Sequence, residues 1–146
     1  GDKVVIIGAG VIGMEYAIHY ADEGRDVALV ELKDSPTIST SVAGVLGGEY
    51  DLLQGIKNEK IRLCFNSILK KVGDDFVVIA DVKTGAEKEI PASTVLLAAG
   101  MKPRFIEAQQ FRTCVPPTNL FVIGDCLEVN EIHGAVSTAF DIAVQI

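Results

Sequence analysis

Six residues, Gly8-Ala9-Gly10-Val11-Ile12-Gly13, constrain this chain more than any other stretch. They follow Val4-Val5-Ile6-Ile7, a short β-branched apolar run of the kind that forms a strand buried on both faces of a parallel sheet. They precede a helical pattern from Val11 to Glu23, in which Ile12, Tyr16, Ile18 or His19, and Tyr20 fall at three- and four-residue spacings. Gly24 is placed to stop that helix, and Asp26 to Glu31 is a second short strand. Strand, helix and strand within about 30 residues make a βαβ unit. The spacing G-x-G-x-x-G is weak evidence alone, but between a buried strand and a helix it marks a dinucleotide site. Gly8 permits the sharp turn, Gly10 lets a pyrophosphate approach the backbone, and Gly13 lets helix and strand pack closely. Ala9, Val11 and Ile12 supply the backbone between them. The helix start adds N–H donors and about half a unit of positive charge. The plainer alternative is a tight turn that holds no ligand.

Glu31 ends the second strand, where an acid accepts hydrogen bonds from both hydroxyls of an adenosine ribose and repels a 2′-phosphate. Lys33 is the one cation close by in sequence, so NADH is expected over NADPH. Glu15, early in the helix, has a simple reading as a carboxylate favoured by the helix dipole. An anionic ligand needs such local donors, because the chain carries a net charge of −7. That charge argues against nucleic acid or an anionic membrane as partner.

No apolar stretch reaches the roughly 18 residues of a membrane span, and the amino terminus lacks the layout of a signal peptide. Cys64, Cys114 and Cys126 are far apart and form no C-x-x-C. They are expected to be reduced, mostly buried thiols of a cytoplasmic protein. His19 and His133 have no partner at ligand spacing, so no metal site is expected. No serine stands in a nucleophile elbow, and no catalytic residue is assigned.

Further along, residues 34–48 suggest a loop or irregular helix start, Glu49 to Lys57 a helix, and Ile61 to Phe65 a third strand. Ser67–Val72, Phe76–Lys83 and Glu87–Ile90 suggest an antiparallel meander, with Asp74-Asp75 and Thr84-Gly85 at its turns. Thr94–Ala98 and Leu120–Ile123 resemble buried strands, with 101–117 a loop containing one helical turn. Glu131–Ile146 suggests an amphipathic helix through Ile132, Ala135, Val136, Ala139, Phe140 and Ala143. The expected fold is α/β: a Rossmann-like, three-layer FAD/NAD(P)-binding fold whose parallel sheet is joined by a small antiparallel β-meander.

Three stretches together, GAGVIGMEYA at 8–17, VLLAAGMKP at 95–103 and NLFVIGDC at 119–126, resemble the two-dinucleotide flavoproteins of the pyridine nucleotide-disulfide oxidoreductase family. Within that family they are most similar to the C-terminal region of NADH:flavin oxidoreductases of the 2,4-dienoyl-CoA reductase and enoate reductase type. The resemblance implies an NADH-binding domain inserted into a FAD domain. It carries Gly8, Gly10, Gly13 and Glu15 over to NADH binding, with Glu15 towards the nicotinamide. It places Ala98, Ala99 and Gly100 where backbone passes close to the cofactor, with Pro103 the proline of the same motif. Gly124 and Asp125 match the flavin half.

The resemblance divides the chain into residues 1–102, the NADH-binding domain, and 103–146, the closing segment of the FAD domain, packed as one compact unit. It implies FAD in a longer parent, with FMN and an iron–sulfur cluster elsewhere in that parent. No upstream FAD fingerprint precedes Gly8, so the chain is expected to be an excised piece that binds NADH, turns nothing over, and has the remaining FAD domain as partner. The lack of C-x-x-C sets aside the disulfide-reducing branch. Two alternatives stay open: the glycine turn takes FAD, with Asp125 assisting, or the chain is a non-catalytic regulatory domain that senses NADH.

Overall fold

A computed structural model describes residues 1–37, 48–130 and 132–146. Most of the expected loop at 34–48 and the first residue of the expected final helix therefore lie outside the described residues. Contacts divide the chain into two compact units, Gly1–Gly100 and Met101–Ile146.

The first unit begins with β1 (Lys3–Ile7), α1 (Val11–Asp22) and β2 (Asp26–Val30), followed by α2 (Glu49–Gly55) and β3 (Ile61–Cys64). The meander β4 (Ser67–Val72), β5 (Phe76–Asp81) and β6 (Glu87–Pro91) comes next, and β7 (Thr94–Leu97) returns to the first sheet. The parallel sheet runs in the order β3-β2-β1-β7, and the antiparallel sheet in the order β4-β5-β6. In register, Val5 of β1 faces Ala28 of β2 on one side and Val95 of β7 on the other. Because β1 and β2 are central, both of their faces must be apolar, and the period of two sends alternate residues to opposite layers. Val4, Ile6, Val27 and Leu29 pack with Met14, Ala17 and Ala21 of α1 and Ile56 after α2. Val5, Ala28 and Val30 pack with Val77, Ile79 and Ile90 of the meander. Helices, parallel sheet and meander are thus three layers, and the fold is the Rossmann-like α/β arrangement expected.

The buried face of α1 differs from the expected one. Gly13, Met14, Ala17 and Ala21 are buried, whereas Ile12 is 59% exposed and Tyr16 also faces solvent. Gly13, Ala17 and Ala21 let the helix axis approach the sheet, Met14 fills the interface, and of the expected face Ile18 and Tyr20 pack at its edge.

The second unit contains α3 (Phe105–Gln110) and α4 (Ile132–Ala143), with short 3-10 turns at Phe111–Thr113, Pro117–Asn119 and Gly124–Cys126. It is more helical over 101–117 than expected, and Leu120–Ile123 is not a strand. Leu120 and Ile123 have extended backbone. A strand also requires a neighbour's N–H and C=O groups, and among the described residues 120–123 join no ladder. The expectation of burial fails as well: Phe121 and Ile123 are exposed, and so are Ile132, Val136 and Phe140 of α4. Neither helix of this unit has a buried residue. Accordingly Cys114 and Cys126 are exposed and Cys64 half-buried, against the expectation of buried thiols.

Among the described residues no helix is long and apolar enough to cross a membrane.

Candidate functional site

The glycine turn joins the carboxyl end of β1 to the amino end of α1, and each of its glycines answers a different demand. At Gly8, φ is +106°, and a Cβ would collide with the carbonyl oxygen of Ala98. Its N–H donates to the Val30 carbonyl at 2.8 Å, which ties the turn to β2. At Gly13, a Cβ would collide with the carbonyl oxygen of Gly8, so the helix can pass over the turn only without a side chain there. At Gly10, φ is −78°, an ordinary value, and among the described residues a Cβ would meet no atom within 4 Å. Neither strain nor packing of the described residues requires glycine at that position. What a side chain would occupy is open space in front of the helix. Gly10 is also the N-cap of α1; among the described residues no side chain caps that end, and no acid stands in the first turn. Glu15 therefore lies beyond the first turn rather than in it, exposed on the helix surface.

That space belongs to a cleft of about 520 Å³ at the carboxyl ends of β1, β2 and β7. Ligands of open α/β sheets bind at that end of the strands. Gly8, Gly10, Glu31, Ala99 and Gly100 line it. Ala9 lies beneath it, fully buried. Val11, Ile12, Gly13 and Glu15 do not line it. Gly100 has φ +87°, so it holds a backbone shape that other residues rarely adopt. Glu31 is only 8% exposed. Its Oε2 accepts from the N–H of Ala9 at 2.7 Å and its Oε1 from the N–H of Lys33 at 2.9 Å.

Residues that the motif does not predict complete the walls. Leu32 and Ile68 are large, apolar and exposed, and both line the cleft, as do Thr37 and Leu69. Ile68 and Leu69 come from β4, so their placement depends on the meander folding over the sheet. The only hint of them in the sequence is the apolar character of Leu32 just past the end of a strand.

A smaller cleft, about 340 Å³, lies at the amino ends of the strands. Lys60 and Asp26 in its wall pair with each other at 3.3 Å. The larger cleft instead includes Gly10, at the start of α1.

Gly124 and Asp125 are in the second unit. Gly124 has φ +59° and donates its N–H to Thr138 Oγ1 at 3.0 Å. Asp125 is exposed, and its Oδ1 accepts from the N–H of Asn130 at 3.3 Å. Among the described residues no group of three or more His, Cys, Asp or Glu side chains could hold a metal ion. His19 sits on the α1 surface 3.5 Å from Glu23, with its ring beside Tyr20.

Residues 1–139 match the pyridine nucleotide-disulphide oxidoreductase family. The chain is 30% identical over 145 residues to the nitric oxide reductase FlRd-NAD(+) reductase of Aeromonas salmonicida, covering 86% of this chain and 35% of that protein. It is also 30% identical over 148 residues to the cinnamate reductase of Clostridium sporogenes, covering 100% of this chain and 21% of that one. Among solved structures it resembles a 2-naphthoyl-CoA reductase, with a TM-score of 0.71 at 23% identity, covering 100% of this chain and 21% of that one. The chain thus spans between about a fifth and a third of the length of the relatives named.

Proposed function

The chain belongs to the pyridine nucleotide-disulphide oxidoreductase family, and from that premise we propose that residues 1–100 are the NAD(H)-binding domain of a flavin-dependent oxidoreductase. The parent enzyme passes hydride from NADH to FAD and on to a further acceptor. The observation that carries this reading is the open space at Gly10. A glycine that neither backbone strain nor any neighbour among the described residues requires keeps room for a ligand. The room lies at an uncapped helix start, where N–H groups and the helix dipole favour a phosphate.

The nicotinamide supplies the hydride when the dinucleotide is bound, and this chain's residues bind and orient it. The amides at the start of α1 receive the pyrophosphate. Glu31 accepts the adenosine ribose hydroxyls, and its charge keeps a 2′-phosphate out, so NADH is preferred to NADPH. Leu32 and Ile68 offer apolar surface beside that ribose for a flat base. Ala99 and Gly100 bring backbone along the opposite wall. The remaining FAD domain of the parent is the partner of residues 101–146. The support for it is the exposed apolar set on α4, where Ile132, Val136 and Phe140 stand one turn apart with nothing of their own unit over them.

Titration of the protein with NADH, NADPH and FAD, followed by calorimetry, tests the assignment. NADH is expected to bind most tightly. Tighter binding of FAD would transfer the turn to the flavin, and tighter binding of NADPH would overturn the role given to Glu31.

A further inference from the structure

Glu31 does more than wait for a ribose. Each carboxylate oxygen has about two lone-pair positions. One position on each is already taken, on Oε2 by the Ala9 N–H at 2.7 Å and on Oε1 by the Lys33 N–H at 2.9 Å. The peptide units around Ala9 are held on the other side too, because its carbonyl accepts the N–H of Thr37 at 2.9 Å. Ala9 lies between Gly8 and Gly10 and is fully buried. Hydrogen bonds to an ionised acceptor are about twice as strong as neutral ones, and more so away from water.

We propose that Glu31 is a positioning residue of the phosphate-binding turn: its carboxylate ties the end of β2 to Ala9 and holds the turn in its binding shape. This deepens the reading of the cleft as a dinucleotide site and rests on it. The two lone-pair positions left over still face the ribose hydroxyls, so one carboxylate serves both tasks. The Ala9 N–H, being taken, is withdrawn from the phosphates, which leaves the amides after Gly10 to hold them. A consequence concerns cofactor exchange. Glu31→Arg removes the tie along with the repulsion, so it weakens NADH and NADPH together rather than trading one for the other.

The test separates the turn from the ribose. In the unaltered protein, NMR should show a coupling across the hydrogen bond from the Ala9 nitrogen to the Glu31 carboxyl carbon; its absence overturns the proposal whether or not any variant folds. Glu31→Gln keeps the shape of the side chain but leaves the Ala9 and Lys33 N–H groups a single, neutral and therefore weaker acceptor to share. The Ala9 amide should then exchange with solvent at least about tenfold faster. An NADH analogue carrying 2′,3′-dideoxyadenosine has no ribose hydroxyls for Glu31 to accept. Glu31→Gln should bind it about tenfold more weakly than the unaltered protein does, a loss of about 1.4 kcal/mol. Removal of a negative charge alone would strengthen binding of this anion, so the sign distinguishes the two causes. Equal or tighter binding of the analogue by Glu31→Gln overturns the proposal. If the unaltered protein binds neither NADH nor the analogue, the reading of the cleft fails, while the coupling and the exchange rate still decide the tie.

Discussion

The chain carries two glycine-marked turns, residues 8–13 and 124–125, in opposite surroundings. The first lies between a strand that is buried at Val4, Val5 and Ile6 and a helix packed against it through Met14 and Ala17. The second is a 3-10 turn in a unit whose helices bury nothing, held by bonds from the Gly124 N–H to Thr138, from the Asn130 N–H to Asp125, and from the Leu127 and Glu128 N–H groups to the Gly124 carbonyl. Both lie within residues 1–139, the stretch that matches the family. Only the first is enclosed by enough packed structure to give its backbone a fixed shape unaided. A motif gains its geometry from what is packed around it, and substitutions at the two turns should differ accordingly.

The largest effect belongs to Gly13→Ala. The added methyl would run into the Gly8 carbonyl, which is backbone and cannot step aside, so β1 and α1 must part. Overpacking of this kind costs about 3 kcal/mol, to be read as a lower urea midpoint with an unchanged slope. A midpoint equal to that of the unaltered protein would mean that the first turn is as yielding as the second, and would break the comparison.

Gly10→Ala comes next and acts on a different quantity. Because the methyl enters open space at an ordinary φ, stability should stay within about 0.5 kcal/mol. NADH affinity should fall at least tenfold, about 1.4 kcal/mol, because the methyl stands where the pyrophosphate comes. Loss of stability without loss of affinity would place protein, not ligand, in that space. Gly124→Ala should cost less, about 1 kcal/mol, from the left-handed backbone alone. Its methyl would meet Ala135 at an ordinary 3.5 Å. A melting temperature lowered as far as by Gly13→Ala would show that the second turn is packed after all.

The same contrast explains how much was legible in the sequence. In residues 1–100 the apolar runs of β1 and β2 imply burial on two faces, and both strands are central; β7, expected to be as buried, is an edge strand with no buried residue and Leu97 exposed. The meander showed in its alternation and its Asp-Asp and Thr-Gly turns. The expected face of α1 differs at Ile12 and Tyr16, which are exposed, because Gly13 and Ala17 bring the helix close to the sheet on the neighbouring stripe with Met14 between them. Leu120–Ile123 has the composition of a strand, but composition cannot supply the neighbour that makes one. Glu31, singled out from the sequence, lines the cleft. Its bond to Ala9 was not legible there, since it joins residues 22 apart that meet only when β1 and β2 pair side by side. Leu32 and Ile68 escaped for a similar reason, one being in a loop and the other on a different sheet.

The smallest expected effect compares two aspartates, one in each unit. Asp81, at the end of β5, accepts from the N–H of Lys83 at 2.9 Å, the N–H of Thr84 at 2.8 Å and the Thr84 hydroxyl at 3.0 Å. Asp125 accepts one bond at 3.3 Å. The Thr84 N–H, followed by its hydroxyl and the Lys83 N–H, holds the Asp81 carboxyl below its ordinary value of 3.8. A carboxyl whose value is lower in the folded than in the unfolded chain stabilises the fold above the unfolded value, and that contribution fades as pH falls through the folded one. Asp81→Ala should therefore lower the melting temperature slightly at neutral pH, and the difference from the unaltered protein should shrink once the pH drops below about 4. Asp125→Ala should leave the melting temperature unchanged at neutral pH, because a single long bond at an exposed side chain contributes little. If instead Asp125→Ala destabilised the chain more than Asp81→Ala, the Gly124-Asp125 turn would have to be held by more than its local bonds, and the distinction between a turn fixed by packing and one left to its own hydrogen bonds would fall.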